Sequence, residues 1–391
     1  MPPGVAPPPF RPVSFLLAAW AVNVCINAFY IAPAPVFPNM VEDLGITYAQ
    51  AGSLISFYLL AILLFQIPSG YVMDRVDPRR NIAIASFVLL GISVPMSFFP
   101  RYDVLLVLRI LAGIPVAFIF APSAFLTSRA FAHAPGRAVG VFLSAPPAGV
   151  ALGNLLSPSL AAAFGWPFVL AVYNVPLLVL VPWFLRTARH LPERRHEPFT
   201  LREYLGGFRS RELWKVGLAF AASYAAYIFY ASWTTTYMKS TGIANPAILG
   251  ILAAAIPAAG IVSRPTGGYL AETRFRRDKR WVPAIAFALL FAASLAIPFL
   301  GGGAIPLFVA CGFLAQFPFS VYYLFSTQIL PPKFRGTAYA FNNTISIIGG
   351  AVSPALAGLL VDVTGGFLAA FLMMAVTALL GLVLLAAVRE R

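Results

Sequence analysis

Hydrophobic runs of bilayer length recur along this chain, separated by short polar turns. A helix needs about 20 apolar residues to cross a bilayer. The pattern predicts twelve such spans, at 14–37, 49–72, 81–99, 104–127, 138–163, 166–186, 214–238, 246–271, 281–300, 304–329, 337–361 and 365–388. Only the Gly-containing turns Phe164-Gly165-Trp166 and Thr364-Gly365-Gly366 divide the fifth span from the sixth and the eleventh from the twelfth. Residues 1–12 are Pro-rich and predict a disordered tail, without the charged start or cleavage-type end of a signal peptide. The reading is an all-α polytopic membrane protein with two six-helix bundles, 13–186 and 214–391, joined by a basic linker at 187–213. Pro115, Pro146, Pro147, Pro257 and Pro318 fall inside predicted spans and are expected to interrupt them.

Composition agrees. The chain has 391 residues, 60% hydrophobic and 10% charged, against about 25% charged for a soluble domain. So few charges cannot cover so apolar a core in water, so lipid is the solvent for most of the chain. The net charge of +14 changes the picture only through its location. With the N-terminus inside, the inside segments hold all 27 Lys and Arg except Arg101 and Lys239, in outside loops, and Arg109 and Arg264, within spans. That asymmetry places both termini in the cytoplasm and the chain in the cell membrane, its basic loops facing anionic lipid. Nucleic-acid binding needs a basic face on a folded domain, and no loop is long enough for one. Cys25 and Cys311 lie in apolar runs and read as packing residues. His133, His190 and His196 have no metal-ligand spacing. No metal, cofactor or catalytic residue is expected.

An internal repeat appears at an offset of 198: Gly70-Tyr71-Val72-Met73-Asp74 matches Gly268-Tyr269-Leu270-Ala271-Glu272, Gln66 falls on Arg264, and Arg137 on Arg335. Two similar halves around one site are a transporter pattern.

The segment from Phe65 to Arg80, with Gly70, Asp74, Arg75, Arg79 and Arg80, closely resembles the loop 2–3 signature of the major facilitator superfamily. Arg109-Ile110-Leu111-Ala112-Gly113 is similar to its fourth-helix Arg-x-x-x-Gly. Pro332 to Ala338, then Gly349 to Pro354, is similar to its loop 10–11 and eleventh-helix pattern. The resemblance covers the whole chain; one departure is Asp77, where the family usually has Gly. It implies a major facilitator fold and a gating role for Gly70, Asp74, Arg75, Arg79, Arg137, Arg335 and their repeat counterparts Gly268 and Glu272. Asp74 would meet a basic residue or a neighbouring helix N-terminus, a contact that breaks when the halves rock.

Charge placement sharpens the expectation. All 13 Asp and Glu fall outside span centres, whereas Arg109 and Arg264 lie within spans. A buried charge is costly and marks a cavity, and guanidinium without carboxylate favours an anion. Arg264-Pro265-Thr266-Gly267-Gly268 resembles the Arg-Pro-x-x-Gly of the eighth helix in oxalate/formate antiporters, and is similar to nitrate/nitrite porters. This implies that Arg264 contacts the anion. Asn342 stands where the oxalate/formate antiporters carry a second cation. Polar and aromatic residues at helical spacing add cavity candidates: Asn23, Asn27 and Tyr30; Tyr224, Tyr227 and Thr234; Gln316, Ser320 and Tyr323.

The expected substrate-binding set is Arg264, Arg109, Asn27, Tyr30, Tyr224, Tyr227, Gln316, Ser320, Tyr323 and Asn342. The expected function is alternating-access transport of a small anion by exchange or uniport, by a monomer. The rival within transport is an exporter of amphipathic organic compounds; remoter is a membrane receptor or scaffold, or a membrane enzyme, whose reactive constellation is not embedded here.

Overall fold

In lipid every backbone polar group needs a partner within the protein, and in this chain that demand and its prolines together shape the helices. The computed structural model describes residues 12–73, 76–131, 135–189, 191, 210–329 and 335–388. Much of the expected tail and linker lies outside the described residues. Among these described residues twelve helices are long and apolar enough to cross a bilayer. They are α1 (Pro12–Leu44), α2 (Tyr48–Gln66), α3 (Pro78–Phe98), α4 (Tyr102–Ala130), α5 (Ala138–Phe164), α6 (Trp166–Ala188), α7 (Arg211–Ser240), α8 (Pro246–Glu272), α9 (Trp281–Phe299), α10 (Ile305–Ser326), α11 (Phe341–Thr364) and α12 (Leu368–Ala386). The helix of α2 continues to Met73, and that of α11 begins at Arg335. Helices α1–α6 form one bundle and α7–α12 the other. Because successive spans alternate in direction, one end of the molecule carries the chain's basic segments. It is called here the basic end, and its opposite the far end.

Most of the expected breaks occur. Helix α4 breaks at Phe118–Ile119, α5 at Leu143–Ser144 and α10 at Phe317–Pro318. Pro257 is a correction: α8 runs unbroken through it and through Pro265. A proline removes the donor for the carbonyl four residues earlier, here Ala253. Asn154 of α5 supplies the replacement: its Nδ2 donates to Ala253 O at 3.2 Å and to Ala231 O of α7 at 3.1 Å.

That amide crosses between the bundles, and the neighbouring contacts do likewise. Helix α2 packs along α11, and α5 along α8. At the far end a Cβ on Gly52 would strike the Pro354 carbonyl, and one on Gly250 the Leu155 carbonyl. These glycines therefore set the approach of the halves. Trp233 of α7 lies 5.2 Å from Phe37 and 5.9 Å from Tyr48, ring centre to ring centre. The Asp362 carboxylate, at the far end of α11, accepts from Tyr48 N at 2.9 Å and Ala49 N at 2.7 Å. It thus caps the first turn of α2 from the other half, where unpaired N–H groups and the helix dipole favour an anion. The molecule is closed at its far end.

At the basic end an Asp-x-Arg motif repeats. Asp77 accepts from Arg79 N at 3.0 Å and binds the Arg79 guanidinium at 3.0 Å, while Nη1 of Arg79 donates to Ala188 O, at the end of α6, at 3.3 Å. Asp278 accepts from Arg280 N at 3.0 Å and binds its guanidinium at 2.8 Å, while Nη1 donates to Val388 O, just past α12, at 2.9 Å. Each arginine ties the start of one helix to the negative end of another in its own half. This accounts for Asp77, the departure from the family pattern. Arg79, expected among gating residues, is engaged here within the first bundle. Asp74 and Arg75 lie outside the described residues, as do the side chains of Arg137 and Arg335 and the surroundings of Gly70.

Two outcomes follow. Replacing Asp362 by Asn keeps one acceptor and removes the charge, which costs about 1 kcal/mol of far-end closure. Cysteines introduced on the far-end loops should then react several-fold faster with a membrane-impermeant maleimide, and unchanged labelling would count against the latch. The Arg280 hydrogen bonds hold the Asp278 carboxyl below its ordinary value, so the stabilisation is present above the unfolded value of about 3.9. It is lost as pH falls through the folded value. The melting-temperature gap between the wild type and Asp278→Asn should be constant above about pH 5 and close on acidification beyond the carboxylate range.

Candidate functional site

Between the bundles, the α8–α10 interface builds the first wall. Glycines allow it: a Cβ on Gly260 would collide with the Gln316 amide, and one on Gly267 with the Phe317 carbonyl. Gln316 is fully buried. Its Nε2 donates to Ile256 O and to Gly312 O, both at 3.1 Å, which turns its Oε1 toward Arg264. Arg264 donates from Nη2 to that oxygen at 2.7 Å. The guanidinium carbon lies 4.8 Å from the Phe319 ring centre, a cation–π contact, and Ser320 Oγ donates to the Arg264 carbonyl at 2.9 Å. Nε of Arg264 is buried and has no hydrogen-bond partner.

Helix α7 supplies the second wall. Tyr224 and Tyr227 lie 5.9 Å apart and within 6.1 and 6.2 Å of Phe319 by ring centres. Both lie within electrostatic reach of the Arg264 guanidinium. A cavity of about 320 Å³ opens between α8 and α10 on the basic side of Arg264, lined by Gly268, Glu272, Ser320 and Tyr323 among others. Tyr323 Oη donates to Asn343 Oδ1 at 3.0 Å.

The first bundle faces these walls with Tyr30 of α1 stacked on Tyr58 of α2, ring centres 5.5 Å apart. Tyr30 lies within electrostatic reach of Tyr224 and Tyr227. Both hydroxyls of the pair are buried and unpartnered. So is Oε1 of Gln66, the repeat counterpart of Arg264. Arg109 lies behind the pair, 1% exposed, its guanidinium carbon 4.7 Å from the Tyr58 ring and 4.9 Å from the Phe29 ring. It donates to the carbonyls of Leu54 at 3.2 Å, Phe29 at 3.0 Å and Tyr30 at 2.5 Å. The Phe29 carbonyl needs it, because Pro33 provides no helical donor there, only a 3.3 Å turn bond from Ala32. Among the described residues neither embedded arginine is paired with a carboxylate.

The structure thus gathers Arg264, Gln316, Ser320, Tyr323, Tyr224, Tyr227 and Tyr30 around one region. Three expected residues are spent elsewhere: Arg109 on the carbonyls just named, and two asparagines. Asn342 is buried between helices: its Nδ2 donates to Tyr322 O at 3.1 Å and to Ser326 Oγ at 2.5 Å, beside Gly217 of α7. Asn27 donates to Asn23 O of its own helix at 2.8 Å, against Gly149 of α5. Tyr58, Phe319 and Gln66 join the site without having been singled out for it. Tyr58 and Gln66 stand eight residues apart on one face of α2, a spacing that the sequence displays.

Among the described residues, twelve membrane-length helices in two bundles enclose a guanidinium that no carboxylate pairs with, which defines a polytopic membrane protein with a charged interior. The chain belongs to the Major Facilitator Superfamily, whose family model matches residues 19–354. A hexuronate transporter of Bacillus subtilis is 23% identical over 92% of this chain and 90% of its own length. A protein of Cupriavidus necator named "Probable sulfoacetate transporter SauU" is 25% identical over 84% of this chain and 83% of its own. Crystal structures of a bacterial homologue of the human lysosomal transporter Spinster share the fold, with TM-scores of 0.80 and 0.81. Both are 16% identical and cover 97% of this chain and 96% of theirs.

Arg109→Gln should lower stability by about 3 kcal/mol, because it leaves buried carbonyls unpaired. The apparent melting temperature of the detergent-purified variant should fall clearly, and an unshifted value would remove Arg109 from this structural role.

Proposed function

We propose that this protein is a secondary transporter that carries a small anion by alternating access, through exchange or uniport. The observation that carries the reading is Arg264: a guanidinium between the bundles, unpaired with any described carboxylate, with Nε buried and unpartnered. A charged donor in that setting stabilises an oxyanion strongly, since unpaired burial is costly and the pair gains by hydrogen bonding as well as charge. Gln316 and Phe319 orient the guanidinium, while Arg109 adds positive field from behind the tyrosine pair. That the two relatives are named for acids supports the same class of cargo. Among the described residues no carboxylate pairs with either embedded arginine, which disfavours proton coupling through an acid at the guanidinium.

In this reading the basic end faces the cytoplasm of the cell membrane, both termini lie there, and the protein works as a monomer. Units 13–186 and 214–391, joined by 187–213, rock about the site. Far-end closure through Asp362, Asn154 and the glycine contacts is one limit of that motion. The exposed Glu272 at the cavity mouth, with Asp74, Arg137 and Arg335, belongs to the closure of the basic end. A lipophilic cation, the cargo of the rival exporter reading, would meet the Arg264 charge unfavourably.

In proteoliposomes Arg264→Gln should cut anion uptake at least tenfold, equivalent to about 1.4 kcal/mol, while Arg264→Lys retains a measurable part of it. Uptake indifferent to Arg264→Gln would refute the anion contact.

A further inference from the structure

Once the groups already committed to the fold are set aside, few remain to meet a ligand. Arg109 spends its guanidinium on three carbonyls. Gln316 spends both ends of its amide, and Ser320 its proton. Among the side chains gathered at the site, the buried polar groups without a hydrogen-bond partner are Arg264 Nε, Gln66 Oε1 and the hydroxyls of Tyr30 and Tyr58. Around these the walls are rings: Phe319 under the guanidinium, Tyr224 and Tyr227 against Phe319, and the Tyr30–Tyr58 stack opposite.

We infer that the cargo is a monocarboxylate with a flat, largely apolar body, an aromatic acid being the best fit. This rests on the reading of Arg264 as the anion contact. One available guanidinium matches one carboxylate, and a second would enter without a cation and lose its hydration. A sugar acid carries a hydroxyl on nearly every carbon. Each would have to leave water for a ring face, and a hydroxyl without a partner is strongly selected against in a closed site. A planar ring loses nothing of that kind. It can lie among Phe319, Tyr224 and Tyr227 in the offset or edge-on arrangements that aromatic pairs prefer. The hydroxyls of Tyr30 and Tyr58 then serve the carboxylate or a single polar substituent. Tyr58 becomes a specificity-determining residue, its enclosed hydroxyl standing beside that of Tyr30 in a wall made mainly of rings.

The test is isothermal titration calorimetry on the detergent-purified full chain with benzoate, acetate, glucuronate and phthalate. Benzoate should bind at least tenfold more tightly than glucuronate and than the dianion phthalate. Phe319→Leu should reduce benzoate affinity severalfold and bring it toward that of acetate, which has no ring to stack. Arg264→Gln should abolish binding of both. Glucuronate or phthalate binding as tightly as benzoate would overturn the inference while leaving the anion reading intact. Loss of benzoate binding in Phe319→Leu matched by an equal loss of acetate would overturn the stacking argument alone, because ring contact would then not be what Phe319 supplies. Heat from none of the four anions would overturn both readings.

Discussion

An unpaired backbone carbonyl inside a bilayer has no water to turn to, and this constraint distributes the polar side chains of the protein. Pro33 leaves the Phe29 carbonyl short of a donor, and Arg109 reaches from α4 to supply one. Pro257 does the same to Ala253, and Asn154 reaches across from the other bundle. Asn342 serves the Tyr322 carbonyl between α10 and α11. Each of these residues resembles a cavity group in composition, yet each is committed to the scaffold. Arg264 differs. Its single described hydrogen bond runs to a side-chain oxygen that is itself held in place, so donors remain for something that is not protein.

The same constraint explains what could be read from the sequence. Span number and placement depend on hydrophobic length, which is local, and all twelve were legible. So was the position of Arg264 within a span, because a charge within an apolar run is visible without coordinates. The direction in which a buried side chain turns is not local. Arg109 and Arg264 look alike in the sequence. Only the packing of α4 against the broken end of α1 separates a carbonyl pin from a charge with spare donors. Tyr58, on α2, lies outside the first, seventh and tenth spans, where polar and aromatic residues recur at helical spacing. The twin Asp-x-Arg ties were hidden for a simpler reason. They repeat at an offset of 201, whereas α2 and α8 repeat at 198, because the loop after α8 is three residues longer than its counterpart after α2.

Closure at the far end uses two chemistries with different sensitivities. The glycine contacts at Gly52 and Gly250 are short-range and depend on shape, so they are lost once the helices part. The Asp362 carboxylate on the first turn of α2 is electrostatic and weakens more gradually with separation. A gate built from both has a defined closed geometry, and opening it also parts Trp233 from Phe37 and Tyr48. Asn154, donating to α7 and α8 together, keeps those two helices in step at the place where Pro257 would otherwise let α8 bend.

The geometry of the site connects these gates to the cargo. Arg264 and Phe319 belong to the second bundle and Tyr30 and Tyr58 to the first, and in the proposed reading the ligand lies between them. An anion seated on Arg264 alone would bind equally well whether the bundles are tilted one way or the other, and equal affinity shifts no equilibrium. Contact with the opposing tyrosine hydroxyls makes binding depend on the distance between the bundles. Those hydroxyls, buried and without partners in the structure, are where the free energy of binding can bear on the motion of one half against the other.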